Sequence, residues 1–272
     1  MTDTFGGTSM HRLIGRIPLA RRAARRMRAF LGARAEAPSP EVTTFPQSIP
    51  HIAESVAEKG DALRAAIREY CAVHGDPQDP VRVVHLFHQI EAANKLPPGD
   101  YIELGVHKGF TLRAIHRFMD QSRSLFALDT FEGFDERDIT VEHRLYQNDW
   151  HAGNFSPTTE ELVGRFVGHG ERPANLHIVK GWFPDSFRGL EDRRWRFVHI
   201  DFDLYQPVKT ALETVWDAVL PGGIVMVHDY GCYGFRARLA VDEFCGAIGV
   251  LPIELGDRWG TAVLRKPLAT RL

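Results

Sequence analysis

Cysteine is scarce in this chain of 272 residues: there are three, Cys71, Cys232 and Cys245. No two have C-x-x-C spacing and the count is odd. That argues against a disulfide framework or a zinc site, and a reducing cytoplasm fits best. Neither sign of charge is in excess, with 33 basic and 35 acidic side chains and a formal net charge of −2. Net charge therefore argues neither for nor against a nucleic-acid partner, and none is expected. Long apolar runs are missing too. None approaches the roughly 20 residues that span a bilayer, and the start lacks the apolar core of a secretion signal. No internal repeat is found.

What is present is uneven. Residues 10–35 hold eight arginines and no Asp or Glu, interleaved with apolar residues such as Leu13, Ile17, Met27 and Phe30. This reads either as a solvated extension or as a basic amphipathic helix that touches an anionic membrane or an acidic partner. Ala37-Pro38-Ser39-Pro40, then Pro46 and Pro50, read as a linker. The expected organisation is an extension over residues 1–48 and one folded domain over residues 49–272, a length that one core can serve.

Helical patterns run from Ile52 to His74, Val81 to Asn94, Thr111 to Met119, Pro207 to Val219 and Arg236 to Ile248. Short apolar runs at 101–106, 124–129, 176–180, 197–201 and 224–229 read as buried strands, with Pro221-Gly222-Gly223 as a turn. Residues 251–255 and 261–265 pair as a hairpin through Gly256-Asp257-Arg258. Residues 135–157 show no period and are expected to form a lid or binding loop. The alternation predicts an α/β fold with a doubly wound, mostly parallel, seven-stranded sheet that ends in an antiparallel hairpin. That ending is expected of Rossmann-like class I methyltransferases rather than dehydrogenases.

Ligands of such sheets sit beyond the strands' carboxyl ends. The first strand runs into Glu103-Leu104-Gly105-Val106-His107-Lys108-Gly109, and Asp129 follows 20 residues after Gly109. The glycines permit a tight turn at a helix start, and an acid at that spacing can accept from both ribose hydroxyls. Glu103 would face the charged methionine end of S-adenosylmethionine. The alternatives are a bare strand–helix turn, an acid paired to a neighbouring base and, for Asp129, a helix cap. NAD is the competing cofactor, but Val106-His107 stand where a dehydrogenase carries its second glycine. The fourth and fifth strand ends bring Asp201 and Asp203 beside His228 and Asp229. Hard oxygen donors there suit Mg2+, which would acidify a substrate hydroxyl for a nearby carboxylate to deprotonate. In the expected lid, His143, Tyr146 and Trp150 suit a sugar or phenolic acceptor. Tyr205 and Tyr230 beside the acidic strand ends are further acceptor-side candidates.

These pieces resemble the macrocin O-methyltransferase family over about Leu96 to Lys266. The resemblance rests on Glu103-x-Gly105-Val106-x-x-Gly109, Asp129-Thr130-Phe131-Glu132-Gly133-Phe134, Gly181-Trp182-Phe183-Pro184-Asp185-Ser186, Asp201-Phe202-Asp203-Leu204-Tyr205-x-Pro207 and Asp229-Tyr230-Gly231. It implies a magnesium-dependent enzyme that methylates a hydroxyl of a natural-product sugar from S-adenosylmethionine. Thr130, Phe131, Gly181 and Trp182 would join the cofactor site. Asp201, His228 and Asp229 would hold the metal, and Asp201 or Asp203 would serve as base. The family carries two aspartates before the tyrosine; here the first is His228, a softer ligand that would favour Mn2+ or act as base instead. Two other readings remain open: a metal-dependent oxygenase on the same scaffold, or a non-catalytic protein recruited through residues 10–35. Acceptor identity and oligomeric state, including a homo-oligomer, are not legible.

Overall fold

The computed structural model describes residues 50–74, 79–156 and 158–268. The arginine-rich stretch and the linker lie outside the described residues. The chain divides into two units, Met1–Ser55 and Val56–Leu272, and the second is described here.

Two helices precede the sheet, α1 (Pro50–His74) and α2 (Pro80–Ala93). The N-cap of α2 is Asp79, whose carboxylate accepts from Val81 N at 3.0 Å, and Pro80 fills a first-turn position that needs no N–H. Then come β1 (Asp100–Leu104), α3 (Phe110–Phe118), β2 (Leu125–Asp129), α4 (Glu136–Leu145), α5 (Glu160–Val167), β3 (Leu176–Lys180) and β4 (Trp195–Ile200). The chain closes with α6 (Tyr205–Val215), β5 (Val219–Val227), α7 (Ala237–Ile248), β6 (Ile253–Leu255) and β7 (Thr261–Arg265).

The sheet has seven strands in the order β3-β2-β1-β4-β5-β7-β6. The pairings of β1, β2, β3, β4 and β5 are parallel, and β7 runs antiparallel to both β5 and β6. The expected doubly wound sheet with its terminal hairpin is what forms. Strand order reverses between β1 and β4, so a crevice opens beyond their carboxyl ends.

Each central strand is buried on both faces. Ile102, Leu104, Val198, Ile200 and Val225 pack towards α6 and α7. Tyr101, Phe197, Ile224 and Met226 alternate with them and pack with residues of α1, α2, α3 and α5.

Three local expectations are corrected. Residues 135–157 are not a plain loop, because they contain α4. Its N-cap Asp135 accepts from Arg137 N, and its buried residues are Asp138, Ile139 and Glu142. With two of three inward residues acidic, no apolar period shows. Helix α5, capped by Thr159 at Leu162 N, was not expected at all. Residues 221–223 do not separate helix from strand: β5 already pairs at Val219 with Trp195 and resumes at Ile224 with Phe197, so they bulge within it.

Candidate active site

A cavity of about 850 Å3 lies along the carboxyl ends of the parallel strands. That volume is near the upper end of the roughly 300–1,000 Å3 usual for small-molecule sites, enough for two ligands.

One half is built on β1, β2 and β3. Gly105 has φ +83°, and a Cβ there would lie 2.2 Å from the Asp201 carbonyl oxygen. Only glycine lets this turn pass against the end of β4. Asp129 then fixes the turn: its Oδ2 accepts from Val106 N at 2.7 Å and His107 N at 2.9 Å, while Oδ1 accepts from Phe131 N at 2.6 Å. Oδ2 is filled by its two donors, but Oδ1 has one and keeps a second lone pair, so Asp129 can still accept from a ligand hydroxyl. The Thr130 hydroxyl donates to Gly133 O at 2.8 Å. His107 lines the cavity with φ +48°, and burial, then Lys108, lower its pKa. Gly181 and Trp182 form the wall beyond β3. Trp182 Nε1 donates to Asp138 Oδ2 at 2.9 Å, and the Arg137 guanidinium lies 3.8 Å from the centre of the indole. Burial raises the Asp138 carboxyl to about 6 against the opposing Trp182 hydrogen bond.

The other half is acidic. Asp201 follows β4 directly, and His228-Asp229 follow β5. The His228 Nδ1 atom lies 3.1 Å from Asp201 Oδ1 and 2.9 Å from Asp229 Oδ2. One donor atom from each of the three residues falls within 4.8 Å of the others. As it stands, Nδ1–H bridges the two carboxylates; once that proton is lost, two carboxylates and an imidazole are a donor set for a small divalent ion. Asp203 and Asp229 have φ of +63° and +57°, conformations that cost about 1–3 kcal/mol each and concentrate at functional sites. Burial first, then Asp229 and Asp201, push the Asp203 carboxyl well up. Burial would also raise Asp201, but Arg82 and His228 outweigh it and hold Asp201 well below the usual carboxylate range. His228 rises to about 9, because Asp201 and Asp229 overcome the opposing burial and the Arg82 charge.

Aromatic rings close the outer wall. Trp150 stacks on Phe235 at 4.9 Å and 17°, and its Nε1 donates to Gly234 O at 3.1 Å. Phe155 meets Phe134 at 5.1 Å and His107 at 5.8 Å.

The cavity thus brings together Gly105, Val106, His107, Asp129, Thr130, Gly181, Trp182, Trp150, Asp201, Asp203, His228 and Asp229. The other candidates fall outside its lining. Glu103 shares the face of β1 that carries Tyr101 and is fully buried, and its Oε1 lies 2.9 Å from Nδ1 of His199, its register partner on β4. Burial raises its pKa against the His199 contact. Gly109 caps α3 at φ +80°, where a Cβ would meet Val163 of α5 at 2.9 Å, so it lies against that helix and not in the cavity lining. Phe131 is buried in the core. His143 Nε2 lies 2.8 Å from the Trp150 carbonyl oxygen, and Tyr146 sits under the Arg236 guanidinium at 3.8 Å. The Tyr205 and Tyr230 hydroxyls donate to Glu243 at 2.7 Å and Asp242 at 2.6 Å, both on α7.

Sequence reasoning missed Arg82, Asp138 and Phe235. Phe235 lies six residues past Asp229, so a wider window around that motif would have found it. Arg82, at the start of a helix far from any motif, gave no local signal.

Residues 81–263 match the family model described as Macrocin-O-methyltransferase (TylF). An 8-demethyl-8-(2,3-dimethoxy-alpha-L-rhamnosyl)-tetracenomycin-C 4'-O-methyltransferase from Streptomyces olivaceus is 30% identical over 162 residues, 56% of this chain and 60% of that protein. A demethyldecarbamoylnovobiocin O-methyltransferase from Streptomyces niveus is 27% identical over 157 residues, 54% of this chain and 58% of that one. The matches thus span less than two thirds of these relatives. Among solved structures, the O-methyltransferase NovP superposes with TM-score 0.62 at 19% identity, covering 77% of this chain and 99% of that one. The calicheamicin methyltransferase CalS11 gives TM-score 0.53 at 19% identity, covering 97% and 99%. These two likenesses concern the fold.

Proposed function

The chain belongs to the macrocin-O-methyltransferase family, and on that premise we propose that it transfers a methyl group from S-adenosylmethionine to a hydroxyl of a small sugar-containing acceptor. A divalent cation, Mg2+ or Mn2+, would be held by Asp201, His228 and Asp229. The supporting observation is that one cavity joins the Asp129-bound glycine turn to the Asp201–His228–Asp229 centre. The tetracenomycin relative is named for transfer to a rhamnosyl compound, which favours a sugar hydroxyl.

When bound, S-adenosylmethionine supplies an electrophilic methyl group and the cation lowers the pKa of a hydroxyl it touches. The chain aligns the two. Asp129 and the backbone it organises would hold the ribose end of the cofactor, Trp182 and Asp138 form the wall beyond it, and the acidic centre would hold the acceptor hydroxyl. Asp203, which is not among the residues proposed to hold the cation, would take the hydroxyl proton. The sulfonium would supply the methyl group to the acceptor oxygen and keep the bonding electron pair, leaving S-adenosylhomocysteine. Trp150, Phe155 and Phe235 exclude water from the acceptor side. The three unpaired cysteines suit a cytoplasmic setting.

Calorimetric titration with S-adenosylhomocysteine tests the reading. Micromolar binding is expected, weakened at least ten-fold in Asp129→Ala, about 1.4 kcal/mol. No binding by folded wild-type protein would overturn it. Methyl transfer to a rhamnoside should stop in EDTA and in Asp201→Asn; full activity in EDTA would remove the cation from the proposal.

A further inference from the structure

A cation already sits on the acidic centre. Arg82, in the first turn of α2, donates through Nη2 to Asp201 Oδ2. Its side chain is 14% exposed and its Nε is buried without a hydrogen-bond partner. Besides Asp201, the guanidinium interacts with Tyr70 and Asp229, and it repels a charged His228.

Packing does not require an arginine there. Helix α2 is seated by Val83, Leu86, Phe87, Ile90 and Ala93. A cation in the first turn opposes the helix dipole, and burying a guanidinium is costly unless it is paired with good geometry. A residue disfavoured by its helix position and by its burial, and directed at a carboxylate of a candidate metal centre, acts on that centre.

We propose that Arg82 is a positioning residue that sets the affinity of the acidic centre for divalent cations, by competing with the cation for Asp201. The proposal rests on the metal site of the function proposed above. Without a cation, the guanidinium occupies Asp201 Oδ2 and keeps the carboxylates from repelling one another. A cation bound by Asp201, His228 and Asp229 must share Asp201 with this fixed positive charge, so the native site is tuned to weak, exchangeable binding. Removing the charge relieves the repulsion and tightens binding. Keeping the charge on a different side chain does not.

The test is Mn2+ binding to the full chain, followed by electron paramagnetic resonance, for wild type, Arg82→Gln and Arg82→Lys. Arg82→Gln should bind Mn2+ at least ten-fold more tightly than wild type, and Arg82→Lys within about three-fold of it. Equal or weaker binding by Arg82→Gln, or the two variants moving together as a merely structural role requires, would overturn the proposal. A second readout needs only a folded Arg82→Lys as reference. The arginine Nε–Hε resonance that disappears in Arg82→Lys should shift in wild type as Mg2+ is added; a resonance unmoved at saturation would also overturn it. Titrating S-adenosylhomocysteine into the same samples separates the failures. Nucleoside binding without Mn2+ binding in any variant removes this proposal and leaves methyl transfer standing, whereas loss of both removes the methyltransferase reading itself.

Discussion

At the residue scale, the cavity wall contains a carboxyl whose ionisation the fold opposes. Asp138 is raised to about 6 by burial, against roughly 3.9 in an unfolded chain. Between those values the folded state binds more protons than the unfolded state, so this residue's contribution to stability falls as pH rises from about 4 to about 6. Asp138→Asn keeps an acceptor for Trp182 Nε1 and removes the titration. Urea unfolding should find Asp138→Asn more stable than wild type by about 1–2 kcal/mol at pH 8, a figure reduced for partial solvation, with the difference gone near pH 4. A constant difference across that range would contradict the assignment. Gly105 offers a harsher test. Gly105→Ala must place a Cβ at φ +83° and 2.2 Å from the Asp201 carbonyl oxygen, so the turn has to move. We expect a loss of at least about 2 kcal/mol in stability and of S-adenosylhomocysteine binding, measured by thermal melting and calorimetry. Gly105 and its turn were legible, and so were the acid at the end of β2 and the acidic pair of strand ends; Asp138 was not, because its partner Trp182 is 44 positions away. The partners of Glu103 were not, because facing either the ligand or His199 depends on which side of β1 the residue occupies.

At the element scale, α4 is the piece that the sequence did not reveal. It is tied to the domain by Glu142, a fully buried carboxylate whose Oε2 accepts from Tyr205 N at 3.0 Å. Tyr205 opens α6, and its N-cap Leu204 offers no side-chain cap. A distant acid thus does what a local Asp or Ser would do, satisfying an orphan donor at a helix start. Glu142→Ala should cost about 1–3 kcal/mol and loosen residues 136–156, raising their hydrogen exchange relative to the strands. Glu142→Gln should recover most of it. Unchanged exchange in Glu142→Ala would show that the aromatic contacts of Trp150 alone hold this segment. The apolar strands could be read from sequence because burial on both faces leaves a run of Val, Ile, Leu and Phe. Helix α4 could not, because its inward face spends two residues on acids whose partners are remote.

At the scale of the whole molecule, the cavity spans both halves of the sheet, so a nucleoside bound as proposed would link β1, β2 and β3. Ligand that binds only the folded state stabilises it by about 2.7 kcal/mol at one hundred times its dissociation constant. Thermal melting should therefore rise with S-adenosylhomocysteine in wild type and stay flat at the same concentration in Asp129→Ala. A rise in both would place the nucleoside elsewhere. Among the described residues no helix is long and apolar enough to cross a membrane.

The α/β class, the parallel strands with their closing hairpin, the glycine turn with Asp129, and the candidacy of Asp201, Asp203, His228 and Asp229 were all legible along the chain. Each of these is written in local spacing: runs of apolar residues, a glycine where a turn must be tight, an acid where a strand ends. Folding alone left Glu103, Tyr205 and Tyr230 outside the cavity lining, set Asp138 and Phe235 in its wall, and brought Arg82 to Asp201, 119 positions further along the chain. Those outcomes follow from strand register, the face of a helix and the meeting of distant elements, and residues far apart in the chain leave no periodic trace of the contact they will make.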